Sequence, residues 1–507
     1  MRPRTDMHSS PEPRSSSAPP DTSDEPAESL RPARGVRLAY AAGSVANGSF
    51  AVFGGLVLFF FDQIVGVPAH LVSLATSLTI VVDALWDPVI GHSSDRLRSR
   101  WGRRHPFLYA GLLLIPIALY FRWHPPVGWS IPALFVYVLG TGLLVNLAFS
   151  LYEVPSGALA PELAPGYHQR TVLLGQRWAF GAFGAALATV LVYGVFLRAT
   201  PEFPVGQLNG AGYGPMSMAL AGVIVCAGLV LALGTQRTAA RLHRPPESPS
   251  ARVKDQLAEA WATLRNRNFV VALSASAVAG LGAGLSSGLG IYFNTFFWEL
   301  ESNDILVLTL LVIPVPILAA AIAPRVSRAW GKKRACMTLF FASVAIGQTP
   351  VVLKLLGLFL PNDSPLLLGT LALFLLLAGT CGIAGFILVS SMISDIVEEV
   401  QATTGRRSEG LLFTADSLPA KLVASVSAIL PGLLLGWVAF PQQATPGPET
   451  LAIMTRVAWL YVPCIVLINV SSIAIWSFYR IDEESHERNL RHAGRATARG
   501  GRPEDPA

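Results

Sequence analysis

The stretch Leu71–Ile90, LVSLATSLTIVVDALWDPVI, decides the fold. At about 1.5 Å of rise per residue a helix of this length crosses a hydrocarbon core of about 30 Å. Two carboxylates, Asp83 and Asp87, interrupt it. Each costs about 2.5–3.5 kcal/mol near the middle of a membrane helix. Their i, i+4 spacing puts both on one helix face. Two acids on one face at that depth call for a cation, either a metal ion or a proton. Pro88 follows within the same helix and frees a backbone carbonyl one turn back, a further oxygen for such a cation.

The rest of the chain agrees with a membrane setting. Of 507 residues, 52% are hydrophobic and 14% charged, against about 25% charged in soluble domains. A polytopic, all-α membrane protein surrounded by lipid bilayer follows. The formal net charge of +6 does not point to nucleic acid, because the basic residues cluster in short loops. Cys226, Cys336, Cys381 and Cys464 all fall in apolar segments without metal or redox spacing. Residues 1–36 and 480–507 are polar and read as disordered cytoplasmic tails. The first apolar run begins near Leu38, too far along and too long for a signal peptide, and reads as the first spanning helix.

Twelve apolar runs are expected, near residues 38–61, 71–92, 106–122, 131–155, 172–197, 213–234, 269–298, 304–323, 335–360, 365–392, 410–440 and 453–478. The loops between them alternate. Arg96, Arg98, Arg100, Arg103 and Arg104 follow the second run, and Arg325, Arg328, Lys332, Lys333 and Arg334 follow the eighth. The odd-numbered loops are neutral or acidic, which predicts both termini in the cytoplasm and a place in the cytoplasmic membrane.

The chain also repeats. Arg98-Ser-Arg-Trp-Gly-Arg-Arg104 and Ser327-Arg-Ala-Trp-Gly-Lys-Lys333 both carry Trp-Gly and two basic residues, six helices apart. The expected organisation is a six-helix bundle over 37–235, a cytoplasmic linker over 236–267 and a second six-helix bundle over 268–479. Parallel repeats of this kind build two-bundle transporters. No Walker loop, no His/Cys cluster and no Gly-x-Ser-x-Gly elbow is present, so neither ATP nor enzymatic chemistry is expected, and no cofactor beyond a coupling ion.

Three segments carry a resemblance. The first is Asp83-Ala-Leu-Trp-Asp87-Pro88-Val-Ile-Gly91, continuing through Asp95 to Arg104. The second is Ser150-Leu-Tyr-Glu153-Val-Pro155, continuing to Glu162. The third is Ser394-Asp395-Ile-Val-Glu398-Glu399 with Thr404-Gly405-Arg406-Arg407. Together they resemble the glycoside–pentoside–hexuronide:cation symporters of the major facilitator superfamily, a branch that also contains sodium-dependent lysophosphatidylcholine symporters. The resemblance implies a monomer with the major facilitator fold that moves a small molecule, a sugar or glycoside, together with Na+ or H+.

It also implies roles. Asp83 and Asp87 would bind the coupling cation (Na+ as the metal, if sodium is used), with a hydroxyl from Ser150. Trp86 stands where the family often has an asparagine, which removes an oxygen ligand and leaves proton coupling open. Glu153, Arg177 and Lys421 match substrate-site positions, and Lys421 would face the two aspartates across the cavity. Asn47 replaces an acid and Gly157 replaces a ring-stacking tryptophan, which allows an amphiphile such as a lysophospholipid as an alternative substrate. Asp95, Arg96 and Arg104, with Asp395, Glu398 and Arg406 as partners or counterparts, would form cytoplasmic salt bridges that lock an outward-open state.

Overall fold

The computed structural model describes residues 33–97, 99–164, 167–241, 267–404 and 409–480. Side chains within 167–168, 171, 239–241, 394, 397–404 and 409–418 are not part of the description. Among the described residues twelve helices are long and apolar enough to cross a membrane. They are α1 (Arg34–Val65), α2 (Ala69–Arg96), α3 (His105–Trp123), α4 (Ile131–Leu163), α5 (Val172–Phe196), α6 (Gly210–Thr238), α7 (Arg267–Phe297), α8 (Ser302–Trp330), α9 (Lys332–Leu355), α10 (Leu367–Ile393), α11 (Pro419–Trp437) and α12 (Pro448–Trp476). An even number of spans puts the start of α1 and the end of α12 at the same end of the molecule. The opposite end is called distal below.

Several helices overrun their expected apolar cores at the basic end. α1 starts at Arg34, inside the expected tail, and the sixth helix runs on to Arg241, inside the expected linker. Charged residues in a helix's last turns reach water and need not be excluded from it. The ninth helix stops at Leu355 instead of 360, with Gly357 in left-handed backbone at φ 72° just beyond. The helix α8 is broken between Leu310 and Val315, where Pro314 and Pro316 remove hydrogen-bond donors. Residues 1–32, 242–266 and 481–507, to which the tails and linker were assigned, lie outside the described residues.

The repeated basic segments share one conformational feature: Gly102 and Gly331 both take positive φ, 92° and 75°, although Gly331 alone separates two helices while Gly102 lies in a longer turn before His105. Only glycine enters that conformation without steric cost, which explains why Trp-Gly recurs. The distal ends of α1 and α7 also match: both wind into π-helix, over Phe60–Val65 and Phe293–Phe297.

Two glycine contacts position the interior. A Cβ on Gly48 of α1 would fall 1.8 Å from the Gly181 carbonyl oxygen of α5, and one on Gly184 would fall 2.3 Å from that of Val45. The two backbones therefore touch, as small residues permit between membrane helices. This contact holds Asn47 against α4 and α5. Between the halves, a Cβ on Gly432 of α11 would fall 2.4 Å from the Ala69 carbonyl oxygen of α2. That close approach brings α11 along the aspartate face of α2.

Replacing Gly48 with leucine is expected to force α1 off α5 and lower stability by about 3 kcal/mol, read as a fall in melting temperature of the detergent-purified protein. Gly54→Leu, on the same helix with open space at its Cβ, is expected to melt close to wild type.

Candidate functional site

Two clusters share the interior, and α4 supplies side chains to both. In the first, the Lys421 ammonium of α11 donates to both α2 carboxylates, to Asp83 Oδ2 at 2.5 Å and to Asp87 Oδ2 at a comparably short distance. The Ser150 hydroxyl of α4 donates to Asp83 Oδ1 at 2.8 Å, and the Trp86 indole N–H donates to the same oxygen at 2.9 Å. Asp83 therefore has both oxygens engaged. Asp87 does not: its Oδ1 is buried without a hydrogen-bond partner. The side chains of Asp83, Asp87 and Lys421 are 14%, 25% and 29% exposed, so the cluster lies mostly inside the protein with a path to solvent.

The second cluster sits one helical turn further along α4. Glu153 accepts from the Asn47 amide at 2.5 Å and from the Arg177 guanidinium at 2.9 Å. Arg177 also donates to the Tyr40 hydroxyl at 2.7 Å and lies over its ring, 5.6 Å from the centroid. The Ser156 hydroxyl is 3.4 Å from Arg177. The Asn47 side-chain oxygen is buried and unpartnered. A Cβ on Gly157 would lie 3.9 Å from the Arg177 guanidinium, so the glycine leaves room beside that cation.

Asp83, Asp87, Ser150 and Lys421 are thus brought together, and so are Asn47, Glu153 and Arg177. Three participants were not singled out from the sequence. Trp86 was read as a missing ligand, yet it is a donor to Asp83 three residues earlier on the same helix face. Ser156 follows Glu153 at the same spacing, and Tyr40 precedes Asn47 by two helical turns. Spacing from an already chosen residue would have found all three.

The residues expected to form the cytoplasmic lock make these pairs among the described residues. Arg104 pairs with Asp95 at 2.9 Å and with Glu162 at 3.1 Å, and Arg103 also pairs with Glu162. In the other half, Lys332 donates to both oxygens of Asp395 at 2.8 Å. Each of these pairs stays within its own half. The turn holds its basic residues beside the end of the fourth helix of its repeat, Glu162 on α4 or Asp395 on the continuation of α10, within a side chain's reach. These pairs therefore brace each bundle and do not bridge the two. Arg96 is exposed. The Glu398 side chain and Arg406 lie outside the described residues.

Twelve spanning helices in two halves, with buried ion pairs between and within them, define a membrane transporter and not an enzyme. Residues 39–483 match the family described as MFS/sugar transport protein; the chain belongs to that family, in its glycoside–pentoside–hexuronide:cation symporter branch. It is 25% identical to an uncharacterized symporter of Synechocystis sp. over 89% of this chain and 94% of that one. It is 24% identical to an isoprimeverose transporter of Lactiplantibacillus pentosus over 88% of each chain. The fold is similar to that of the xylose transporter XylE from E. coli, with a TM-score of 0.55 at 13% identity, covering 88% of this chain and 99% of that one.

Lys421→Met is expected to leave two partly buried carboxylates facing each other and to destabilise the protein by about 3 kcal/mol. Lys421→Arg is expected to retain most of that stability. Thermal melting of both variants at neutral pH checks the ordering.

Proposed function

We propose that the chain is a secondary symporter of the cytoplasmic membrane that moves a sugar or glycoside together with Na+ or H+ by alternating access, with both termini cytoplasmic. One observation carries the reading: the Lys421 ammonium sits where a coupling cation would have to sit, against Asp83 and Asp87. An arriving Na+ or H+ competes with that ammonium for the same oxygens. Asp87 Oδ1, buried and unpartnered, is the open acceptor. When the cation wins, α11 loses its charged tie to α2 while the two acids keep one positive charge between them.

The substrate would bind at the Asn47, Glu153 and Arg177 cluster. Carboxylate, guanidinium and amide groups match the hydroxyls of a sugar in both donor and acceptor sense. The relative named for isoprimeverose supports that substrate class. Coupling would run through α4: Ser150 reports on Asp83 and Glu153 on the substrate, one turn apart on one rigid helix. Reciprocal stabilisation of the two ligands follows from linkage. The donor set bears on the ion. Two carboxylates and a hydroxyl, one carboxylate already facing an indole N–H, are few oxygens for Na+, whereas a proton needs one.

A second reading, an amphiphile such as a lysophospholipid, is favoured by a separate cavity of about 820 Å³ at the seam of the halves. It is lined by Phe183 of α5, Phe293 of α7, Trp298, and Leu308, Val312 and Ile313 of α8. Uptake into proteoliposomes, with sugars or lysophospholipids and with sodium and pH gradients imposed separately, distinguishes the four combinations.

Asp87→Asn is expected to abolish cation-stimulated uptake while the protein reaches the membrane at wild-type level; uptake at the wild-type rate would refute the assignment. Glu153→Gln is expected to weaken substrate binding about tenfold or more, the loss of one charge-assisted hydrogen bond, with cation binding retained. Isothermal titration with each ligand alone checks it.

A further inference from the structure

The distal ends of the two halves meet through a second polar cluster, which lacks an ion pair among the described residues. Gln63, 2% exposed, donates to Asp62 Oδ2 at 2.6 Å and to the Pro441 carbonyl at 3.1 Å, and its own carbonyl accepts from the Ala444 amide at 2.9 Å. Gln207, fully buried, donates to the Thr295 hydroxyl and the Leu300 carbonyl and accepts from the Ser302 hydroxyl at 2.7 Å. Two uncharged glutamines thus fasten the first half to the second.

Asp62 stands out among these neutral groups. It is 1% exposed, on the π-helical end of α1. Its Oδ2 accepts from Tyr292 of α7 at 2.7 Å as well as from Gln63. Its Oδ1 is buried with no hydrogen-bond partner. The titratable groups that face it are Tyr292 and, beyond that ring, Tyr213 of α6. The turn between α11 and α12 offers backbone to Gln63, and at the start of α2 the Ala69 backbone N–H is turned toward the Asp62 carboxyl without reaching hydrogen-bond geometry on Oδ1. From α3, Arg122 packs over the neighbouring Phe61 ring at 4.9 Å but donates to Val138 and Thr141, and His124 binds the Tyr120 carbonyl. Among the described residues no Lys, Arg or His pairs with Asp62. A carboxylate buried this fully, with one oxygen orphaned and no cation, is poorly compensated as an anion. As a neutral acid it keeps its contact with Tyr292, because a hydroxyl accepts as readily as it donates.

We propose that Asp62 is a proton-binding site of the distal gate, separate from the Asp83 and Asp87 cluster: it takes up a proton from the distal solution when the gate closes and returns it when the gate opens. π-Helical turns recur at sites of this kind because they force a side chain out of the regular helical register. Opening the seam exposes the carboxyl to water, where an aspartate is ionised near neutral pH. The sign follows from linkage. The closed state holds one more proton, so acid favours closure and alkali favours opening.

The test is a distance measurement across the gate. Spin labels are placed at Val127→Cys and Leu358→Cys, both exposed and in distal loops of opposite halves, in full-length protein with the four native cysteines replaced by alanine. The interlabel distance is followed by pulsed electron resonance over an acid-to-alkaline series without substrate. In the parent, the open population should grow as pH rises. Asp62→Asn, a permanent stand-in for the neutral acid, should stay closed throughout and lose most of that response. Tyr292→Phe removes a donor to the anion, so it should keep the response with its midpoint moved to higher pH. An Asp62→Asn variant that responds like the parent, or whose gate stands open in acid, overturns the proposal. So does a Tyr292→Phe midpoint that is unmoved or falls, and this second variant decides the matter if the first does not fold. Uptake and cation binding at Asp83 and Asp87 are not read here, so failure of the symport mechanism would leave this result intact.

Discussion

One ammonium shared by two carboxylates constrains the whole interior. Asp83 and Asp87 lie on α2 in one half and Lys421 on α11 in the other, so the acids have a counter-charge only when the halves are close. An uncompensated charge at membrane depth is expensive, and that expense ties the relative position of two helices to the occupancy of one site. The close approach at Gly432 is the steric condition for the same contact. A bulkier residue there would hold α11 too far away for its lysine to reach. Packing and electrostatics therefore specify one arrangement from two directions.

The polar interior is distributed by function across the membrane. At mid-depth the contacts between halves are ionic, Lys421 against Asp83 and Asp87. At the distal end they are hydrogen bonds of glutamines, hydroxyls and backbone, which break singly at about 1 kcal/mol each. At the basic end the salt bridges described here stay within each half, Arg103 and Arg104 on Glu162, Lys332 on Asp395. Weak neutral contacts between two bundles braced internally by ion pairs are what the proposed rocking of the halves would need, since they part without deforming either bundle.

The sequence made the architecture legible because each signal had one physical source. Apolar length gave the spans, loop charge gave the alternation, and the paired Trp-Gly turns gave the repeat. The Asp83 and Asp87 face was legible because acids are rare in such surroundings, and Lys421 for the same reason. Neutral partners were not legible. Trp86, Ser156 and Tyr40 are ordinary residues of membrane helices, and only their neighbours give them a role. Gln63 and Gln207 were hidden because their partners lie far along the chain, in backbone and hydroxyl groups that no motif marks. The break in α8 could have been read from Pro314 and Pro316, but continuous hydropathy masked it. The cytoplasmic lock was legible only as charge: Arg104 meets Asp95 and Glu162, and Lys332 meets Asp395, each within its own half, while Glu398 and Arg406 lie outside the described side chains.

The two buried acids left incompletely paired, Asp62 and Asp87, lie at different depths and on different helices of the first half. Each has one oxygen engaged and one buried without a partner. Their surroundings differ in the respect that matters. Asp87 has a lysine, so on the proposed reading its occupancy by a cation would be a competition. Asp62 has neutral neighbours, the Tyr292 phenol, the Gln63 amide and the Ala69 backbone N–H, so on the proposal its charge state would be set by whether water reaches it. On the two proposals, one acid would respond to what is bound at the centre, the other to whether the distal seam is shut. Under the proposed cycle, loading and closure would both depend on ions through the same elementary cost, that of keeping a bare carboxylate away from water.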